Sequence, residues 1–459
     1  MSPTIYRSLL PDIEWLTAAD QRGALLLALL EQFRQTEKLN AEKLQQQQLR
    51  QLQQVLEHAW NSVPFYRKRL EESGYRVGGA LTLEQFRMVP LLTRRDIQDA
   101  GPALHSTSLP AAFGGTHENQ TSGATGQPVR VLRTLIDALL WQANTLRDHE
   151  WHGRDATLKF AAIRALQPGI ADPPHGIVMA GWGAASEAVR KTGPSALLSL
   201  NADVNVQAEW LRRHAPGYLL TYPSNLDALL TYFERAQARL PQLRAVLTVG
   251  ENVSPELRGK CRSVLGVGIE DVYSSQELGY IALQCPFSGH YHVMAESVLV
   301  EVLDAAGKPC MPGETGRLVI SSLHNFAMPL IRYELRDYAT VGAPCACGRS
   351  LPVLERIAGR ERNMVRLPDG TTHWPMVGFH RFREIAPVQQ YQLIQHTLDA
   401  VEVRLVCDRA LNTAEEEQLG SVIRKALGYD FKLNFVYYED ELPRSPNGKF
   451  EEFVSRVGA

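Results

Sequence analysis

A chain of 459 residues is too long for one hydrophobic core, so two or more domains are expected. Its 48 Lys and Arg stand against 50 Asp and Glu, a balance that excludes the basic footprint of a nucleic-acid binder and polybasic attraction to an anionic membrane. Small-molecule chemistry is left. The longest apolar run near the start, 24–30, is far too short to span a bilayer and lacks a basic lead-in and a small-residue cleavage site. A soluble, cytoplasmic protein is expected. Six cysteines spread over this length are not the dense framework of a small secreted domain, which points to reduced thiols.

In chain order, residues 40–60 are rich in Gln, and Leu44, Leu49, Leu52, Val55, Leu56 and Ala59 fall on one helical face, with the glutamines read as its solvated side. Pro64 ends that helix, and Thr93 is placed to cap the next. A short strand is expected over 129–132, a helix over 136–151, and buried strands over 158–163, 217–220, 245–248 and 269–272. Strands interleaved with helices at these lengths predict an α/β architecture with parallel pairing. The character changes over 290–320. There Val298, Val300, Val302, Leu318 and Ile320 alternate around turn-rich segments and read as antiparallel hairpins. Past residue 360 the order is strand (391–394), strand (400–406), helix (413–427), strand (432–437), a compact α+β module with a hinge at its start. The expectation is a large N-terminal domain, 1–358, with parallel α/β sheets and a β-rich subdomain, followed by a small mobile α+β domain, 359–459.

Two loops carry chemistry. The run Gln120-Thr121-Ser122-Gly123-Ala124-Thr125-Gly126-Gln127-Pro128 combines hydroxyl donors with glycines that let backbone approach an anion, so it suits a nucleotide's phosphates. No Gly-Lys-Ser/Thr follows, so it is not the P-loop. The run Ser445-Pro446-Asn447-Gly448-Lys449-Phe450 sets a lysine on a glycine-containing turn.

These two runs, with Tyr273-Ser274-Ser275-Gln276-Glu277, Arg332-Tyr333-Glu334-Leu335-Arg336-Asp337 and Gly359-Arg360, occur in the order found in adenylate-forming enzymes. Over roughly residues 55–455 the chain resembles their phenylacetate-CoA ligase group, with its CapK and coenzyme F390 synthetase-like relatives. The resemblance implies ATP-dependent activation of an organic, aromatic carboxylic acid to an acyl-adenylate with release of pyrophosphate. Transfer to a nucleophile follows, by default CoA to give an acyl-CoA, with an amine or a carrier-protein thiol as alternatives. It also implies roles. Thr121, Ser122, Gly123, Ala124, Thr125 and Gly126 would hold phosphates, and Glu277 would help hold Mg²⁺. Tyr273 would flank the adenine and Asp337 would accept from the ribose hydroxyls. Gly250, Glu251 and Ser274 complete the ATP-binding set. Arg360 would reach the nucleotide from the domain junction, and Lys449 would swing in as a mobile point charge on the developing anion.

The chain also departs from the group. Ala124 replaces the usual Thr and Gln127 brings no lysine, Gln276 precedes Glu277, and Arg362 and Asn363 stand where hinge acids are expected. The glycine-rich segment that lines the approach of the thiol is replaced over 367–375, so adenylation is better supported than thioester formation. These departures leave open a nucleotide-binding regulatory protein that kept the fold and lost turnover. Cys285, His292, Cys345 and Cys347 offer three thiolates and an imidazole, a set suited to closed, structural tetrahedral zinc, with His290 a rival fourth ligand. For the acyl pocket the candidates are Trp182, Tyr222 and Gly279, with the helix carrying Trp141 and Trp151. A homodimer is a candidate assembly.

Overall fold

The structure is a computed structural model, describing residues 7–9, 17–120, 128–375, 382–439, 441–443 and 450–457 apart from the Arg383 side chain. Its contacts divide the chain into a large unit ending at Ala358 and a small unit beginning at Gly359.

The large unit is organised on one continuous sheet rather than on separate ones. A preceding two-stranded ribbon pairs β1 (His117–Gln120) with β2 (Arg130–Arg133), Gln120 facing Arg130. The sheet then takes β3 (Phe160–Arg164), β4 (Ile177–Met179), β5 (Ser195–Ser199), β6 (Tyr218–Thr221), β7 (Ala245–Val249), β8 (Gly268–Ser275), β9 (Gly279–Gln284) and β10 (Tyr291–Val293). Also in it are β11 (Val298–Leu303), β12 (Thr315–Ser322), β13 (Tyr333–Val341) and β14 (Val353–Arg360). Their order is β11-β12-β13-β14-β10-β9-β8-β7-β6-β3-β5-β4. Strands β5, β3, β6, β7 and β8 run parallel, joined in part by the helices Val204–His214, Pro223–Arg235 and Pro255–Leu265. Beyond β8 the pairs β8–β9, β9–β10, β10–β14, β11–β12 and β12–β13 are antiparallel. The change of pairing falls at β8, the strand that carries Tyr273 and Ser274.

Parallel strands buried on both faces need apolar side chains both ways. Ala161, Ile163, Leu198, Leu219 and Val246 form one such core with Trp210 and Phe233 from the helices. A second core joins Leu52, Val55, Leu56 and Ala59 to Ile281, Val298, Leu318 and Ile320 of the antiparallel half. Helix Ala41–Ser62 thus buries the expected stripe except for Leu49, which is only half-buried while Gln48 takes the buried place beside it, so not all of its glutamines face solvent. Gln48 is buried and its amide donates to the carbonyls of Ala295 (2.8 Å) and Val298 (3.1 Å), while Gln51 reaches that of Leu323. Pro64 both stops this helix and occupies the first turn of the next, Pro64–Glu72, where its missing N–H costs nothing. Thr93 caps Arg94–Ala100 in a capping box with Asp96.

The small unit has a four-stranded sheet of β17 (Val388–Gln395), β18 (Ala400–Cys407), β19 (Lys432–Tyr438) and β20 (Phe453–Ser455) in the order β19-β18-β17-β20. Before it, β15 (Val365–Arg366) and β16 (Thr372–His373) form a short hairpin. Helix Thr413–Leu427, capped by Asn412 and closed by a left-handed Gly428, packs Leu419, Ile423 and Leu427 among Leu393, Val403 and Phe453. Arg362 and Asn363, the departures at the hinge, are structural here. Arg362 pairs with Glu451 at 2.8 Å, and Asn363 donates to the Phe453 carbonyl at 2.7 Å.

Candidate active site

Glu277 lies in the turn between β8 and β9 and is buried. Its carboxylate approaches the Arg94 guanidinium at 4.0 Å. Arg133, the last residue of β2, donates to the Glu277 carbonyl at 2.8 Å and pairs with Asp137 at 3.5 Å. Asp137 in turn accepts from Thr134 in the capping box that opens helix Leu135–Trp151. The ribbon flanking the Ser/Thr/Gly loop is therefore tied to the Glu277 turn through a buried arginine. Arg94, Arg133 and Asp137 escaped the reading of the sequence. Thr134-x-x-Asp137 is a cap signature, but nothing local shows that the arginine before it spans to β9.

On β8, the strand leading into the Glu277 turn, Tyr273 donates its hydroxyl to Asp337 Oδ2 at 2.7 Å. Asp337 is buried on β13, and an irregularity in that strand accounts for its aim. Arg317 faces Tyr338 and Val319 faces Glu334, so residues 335–337 stand opposite Leu318 alone, and Arg336 takes a left-handed φ of 63°. Burial, and then the charge of Glu277, push the Tyr333 phenol above its ordinary pKa. Glu277 and Asp337, the two acids the resemblance assigns to magnesium and ribose, thus each have a neighbouring polar side chain, Arg94 and Tyr273.

Gly250 follows β7 with φ 80°. Beside it the Glu251 carboxylate accepts from the Ser224 N–H (2.8 Å) and hydroxyl (3.1 Å) at the start of helix Pro223–Arg235, a place where the helix dipole favours an anion. Ser274 sits at the bulge of β8 opposite Tyr280. Arg360 opens a short 3-10 turn in the small unit, its N–H donating to Asn363 Oδ1 at 3.1 Å. Thr121, Ser122, Gly123, Ala124, Thr125, Gly126 and Lys449 lie outside the described residues.

The aromatic candidates divide. Gly279, with φ 80°, borders a pocket next to Glu277, and a Cβ there would come 3.1 Å from Arg133. Trp141 and Tyr280 line the same pocket. Trp182 and Tyr222 are not among the residues lining it. The Trp182 indole donates to the Leu158 carbonyl at 2.8 Å and its ring stacks among Phe160, Tyr218 and His149. Tyr222 precedes a helix and packs into the parallel-sheet core. Both rings are used by packing.

The donor atoms of Cys285, His292, Cys345 and Cys347 all lie within 4.8 Å of one another. Cys285 and Cys345 Sγ are 3.9 Å apart, and His292 Nε2 is 3.2 Å from Cys347 Sγ. A tetrahedron with bonds of about 2.3 Å has edges of about 3.8 Å, so the set fits zinc. His292 Nδ1 points at the Leu351 carbonyl (3.4 Å), which leaves Nε2 as the lone-pair nitrogen facing the thiols. Burial pulls its pKa down to about 4, so the ring is neutral at pH 7, as a ligand must be. His290 is outside the cluster: its carbonyl accepts from the Cys285 N–H.

No helix among the described residues is long and apolar enough to cross a membrane. Residues 120–328 match the family described as AMP-binding enzyme, and residues 377–456 the CapK C-terminal domain. The chain is 25% identical over 402 residues to the phenylacetate-coenzyme A ligase of Escherichia coli (strain K12), covering 83% of this chain and 86% of that one. It is 25% identical over 407 residues to the enzyme of the same name from Pseudomonas putida, with 84% and 87% covered. A solved structure of a 2-hydroxyisobutyryl-CoA ligase in complex with 2-HIB-AMP superposes with a TM-score of 0.72 at 20% identity, over 96% of this chain and 94% of that one. An anthranilate CoA ligase in complex with anthranoyl-AMP gives 0.53 at 19% identity, over 75% and 67%. These two share the fold. With both domain families in the motif order described, the chain belongs to the adenylate-forming enzymes, in the phenylacetate-CoA ligase-like group, as an acyl-adenylate-forming ligase.

Proposed function

We propose that the enzyme joins an aromatic carboxylic acid to the α-phosphate of ATP, releases pyrophosphate and passes the acyl group to CoA. The observation that carries this reading is the meeting of Glu277 with Arg94 and of Tyr273 with Asp337 at β8, the strand where parallel pairing gives way to antiparallel. Its relatives' names as phenylacetate-coenzyme A ligases support the acid and the thiol. Asp337 would receive the ribose hydroxyls beside the Tyr273 hydroxyl it already accepts, and Tyr273 would present its ring to the adenine. Glu277 would hold Mg²⁺, which supplies charge for the phosphates when bound. Residues 121–126 would cradle the leaving pyrophosphate through hydroxyl and backbone, and Lys449 would meet the negative charge that builds between carboxylate and phosphorus. Arg360 would reach the nucleotide from the start of the small unit.

The acceptor has a rival. Residues 367–375 lack the glycine-rich approach of CoA-using relatives and supply instead the turn, around Asp369 and Gly370, and the second strand of the β15–β16 hairpin, which favours an amine or a carrier-protein thiol as the rival to CoA. Pyrophosphate exchange across a panel of acids, followed by CoA or amines offered to the active pair, tests both steps. Exchange with no acid would end the reading, and exchange without CoA acylation would move the acceptor. The cysteine cluster is proposed as a closed structural zinc site, tested by metal analysis of protein purified without added zinc, where well below one zinc per chain would refute it.

A further inference from the structure

The pocket beside Glu277 has a cavity volume of about 20 Å³, space for one or two water-sized groups. One wall is aromatic, with the rings of Trp141 and Tyr280 4.5 Å apart. The rest of the lining is largely polar, and its hydrogen bonds are unevenly completed. Asn144 is 1% exposed, and its amide nitrogen donates to the Leu140 carbonyl at 3.0 Å. A carbonyl can only accept, which fixes the amide's orientation and makes Oδ1 the remaining acceptor. That oxygen is buried with no hydrogen-bond partner among the described residues. Such an atom is rare in a folded protein and calls for a ligand or a water.

His324 lines the same pocket. Its Nε2 is 2.7 Å from the Glu296 carbonyl, so Nε2 carries the proton and the neutral ring offers Nδ1 as an acceptor. Burial lowers the pKa of the ring, which agrees with neutrality at pH 7. The charges of the lining point the same way. Arg133 is neutralised by Asp137 at 3.5 Å, and Glu277 adds a second carboxylate, so the pocket does not call for another anion. It presents acceptors to something that donates.

We infer that the acid activated here carries a hydroxyl or amino group, directed at Asn144 Oδ1 and His324 Nδ1 in the pocket beside Glu277. A hydroxyl satisfies one of the two acceptors, and an amino group has hydrogens enough for both. The inference rests on the adenylation reading and narrows its substrate from aromatic acids in general to those with a small donor.

The test is pyrophosphate exchange with isosteric pairs in which a methyl replaces the donor: 3- and 4-hydroxybenzoate and 3- and 4-aminobenzoate against the toluates, and 2-hydroxyisobutyrate against pivalate. At least one donor-bearing acid should exceed its methyl partner by about 100-fold in kcat/KM, because an analogue that leaves buried polar groups unpaired is strongly rejected. N144L should cut that preference at least about 10-fold, chiefly through KM for the donor-bearing acid, with the KM for ATP unchanged; H324F should do the same if N144L does not fold. Equal rates within every pair, or a methyl-bearing acid preferred, would overturn the inference while leaving adenylation standing, and would mean that the acceptors hold a water. Exchange with no acid of either kind would instead sink the adenylation reading, and this inference with it.

Discussion

The cysteine cluster and the pocket beside Glu277 lie at opposite ends of β9, and they are built on opposite principles. In the cluster, four donors from the end of β9, from β10 and from the loop after β13 lie within 4.8 Å of one another, and His292 is backed by the Leu351 carbonyl. A tetrahedral metal held by all four would have no position left open. In the pocket, Arg133 is taken up by Asp137 and the Glu277 carbonyl, but Asn144 Oδ1 is left without a partner among the described residues. A site that completes itself serves stability, whereas one that keeps buried valences for an incoming group serves recognition.

That contrast can be broken at several points. The largest effect is expected on stability. C345S, or exhaustive chelation, should remove the metal and destabilise the large unit by about 4 kcal/mol or more, the range in which loss of a metal falls. Metal content followed beside thermal unfolding reads this directly, and a metal-free protein that melts normally would break the structural half of the comparison. Next comes K449A, which should lower exchange by about 1000-fold while ATP binding by calorimetry persists, since this lysine is assigned to the transition state. An active K449A would remove the catalytic assignment. D337N should weaken ATP about 10- to 100-fold in KM, as the loss of charged hydrogen bonds to two hydroxyls implies. Acid selectivity should stay as it was. Smallest is W182F, expected to leave selectivity within about twofold and to cost about 1 kcal/mol for the lost bond to Leu158. A change of preferred acid in W182F would return that ring to the substrate site.

Much of this was legible in the sequence where function depends on residues close together in the chain. The strand and helix order of the small unit follows from periodicity, and helix Thr413–Leu427 has the expected bounds. Cys285, His292, Cys345 and Cys347 were recognisable as a set because thiolates at such spacing have few other uses. The Tyr273 and Asp337 motifs were legible as fragments. Their mutual bond was not, because it depends on a bulge in β13 that no local pattern announces. Asn144 and His324 were unreadable for the same reason. Each is ordinary in its own segment and gains meaning only where helix Leu135–Trp151 meets the segment after β12. Trp182 and Tyr222 show how little an aromatic ring alone announces, since both pack into hydrophobic clusters whatever else they touch. Gln48 was misread because composition cannot distinguish an exposed amide from one that ties two backbones together.

The most direct measurement is acid-dependent incorporation of labelled pyrophosphate into ATP by the wild-type enzyme in the absence of CoA. The account predicts exchange that requires both Mg²⁺ and a carboxylic acid and that K449A loses. Exchange with no acid in a broad aromatic and aliphatic panel, by folded protein that still binds ATP, would contradict it.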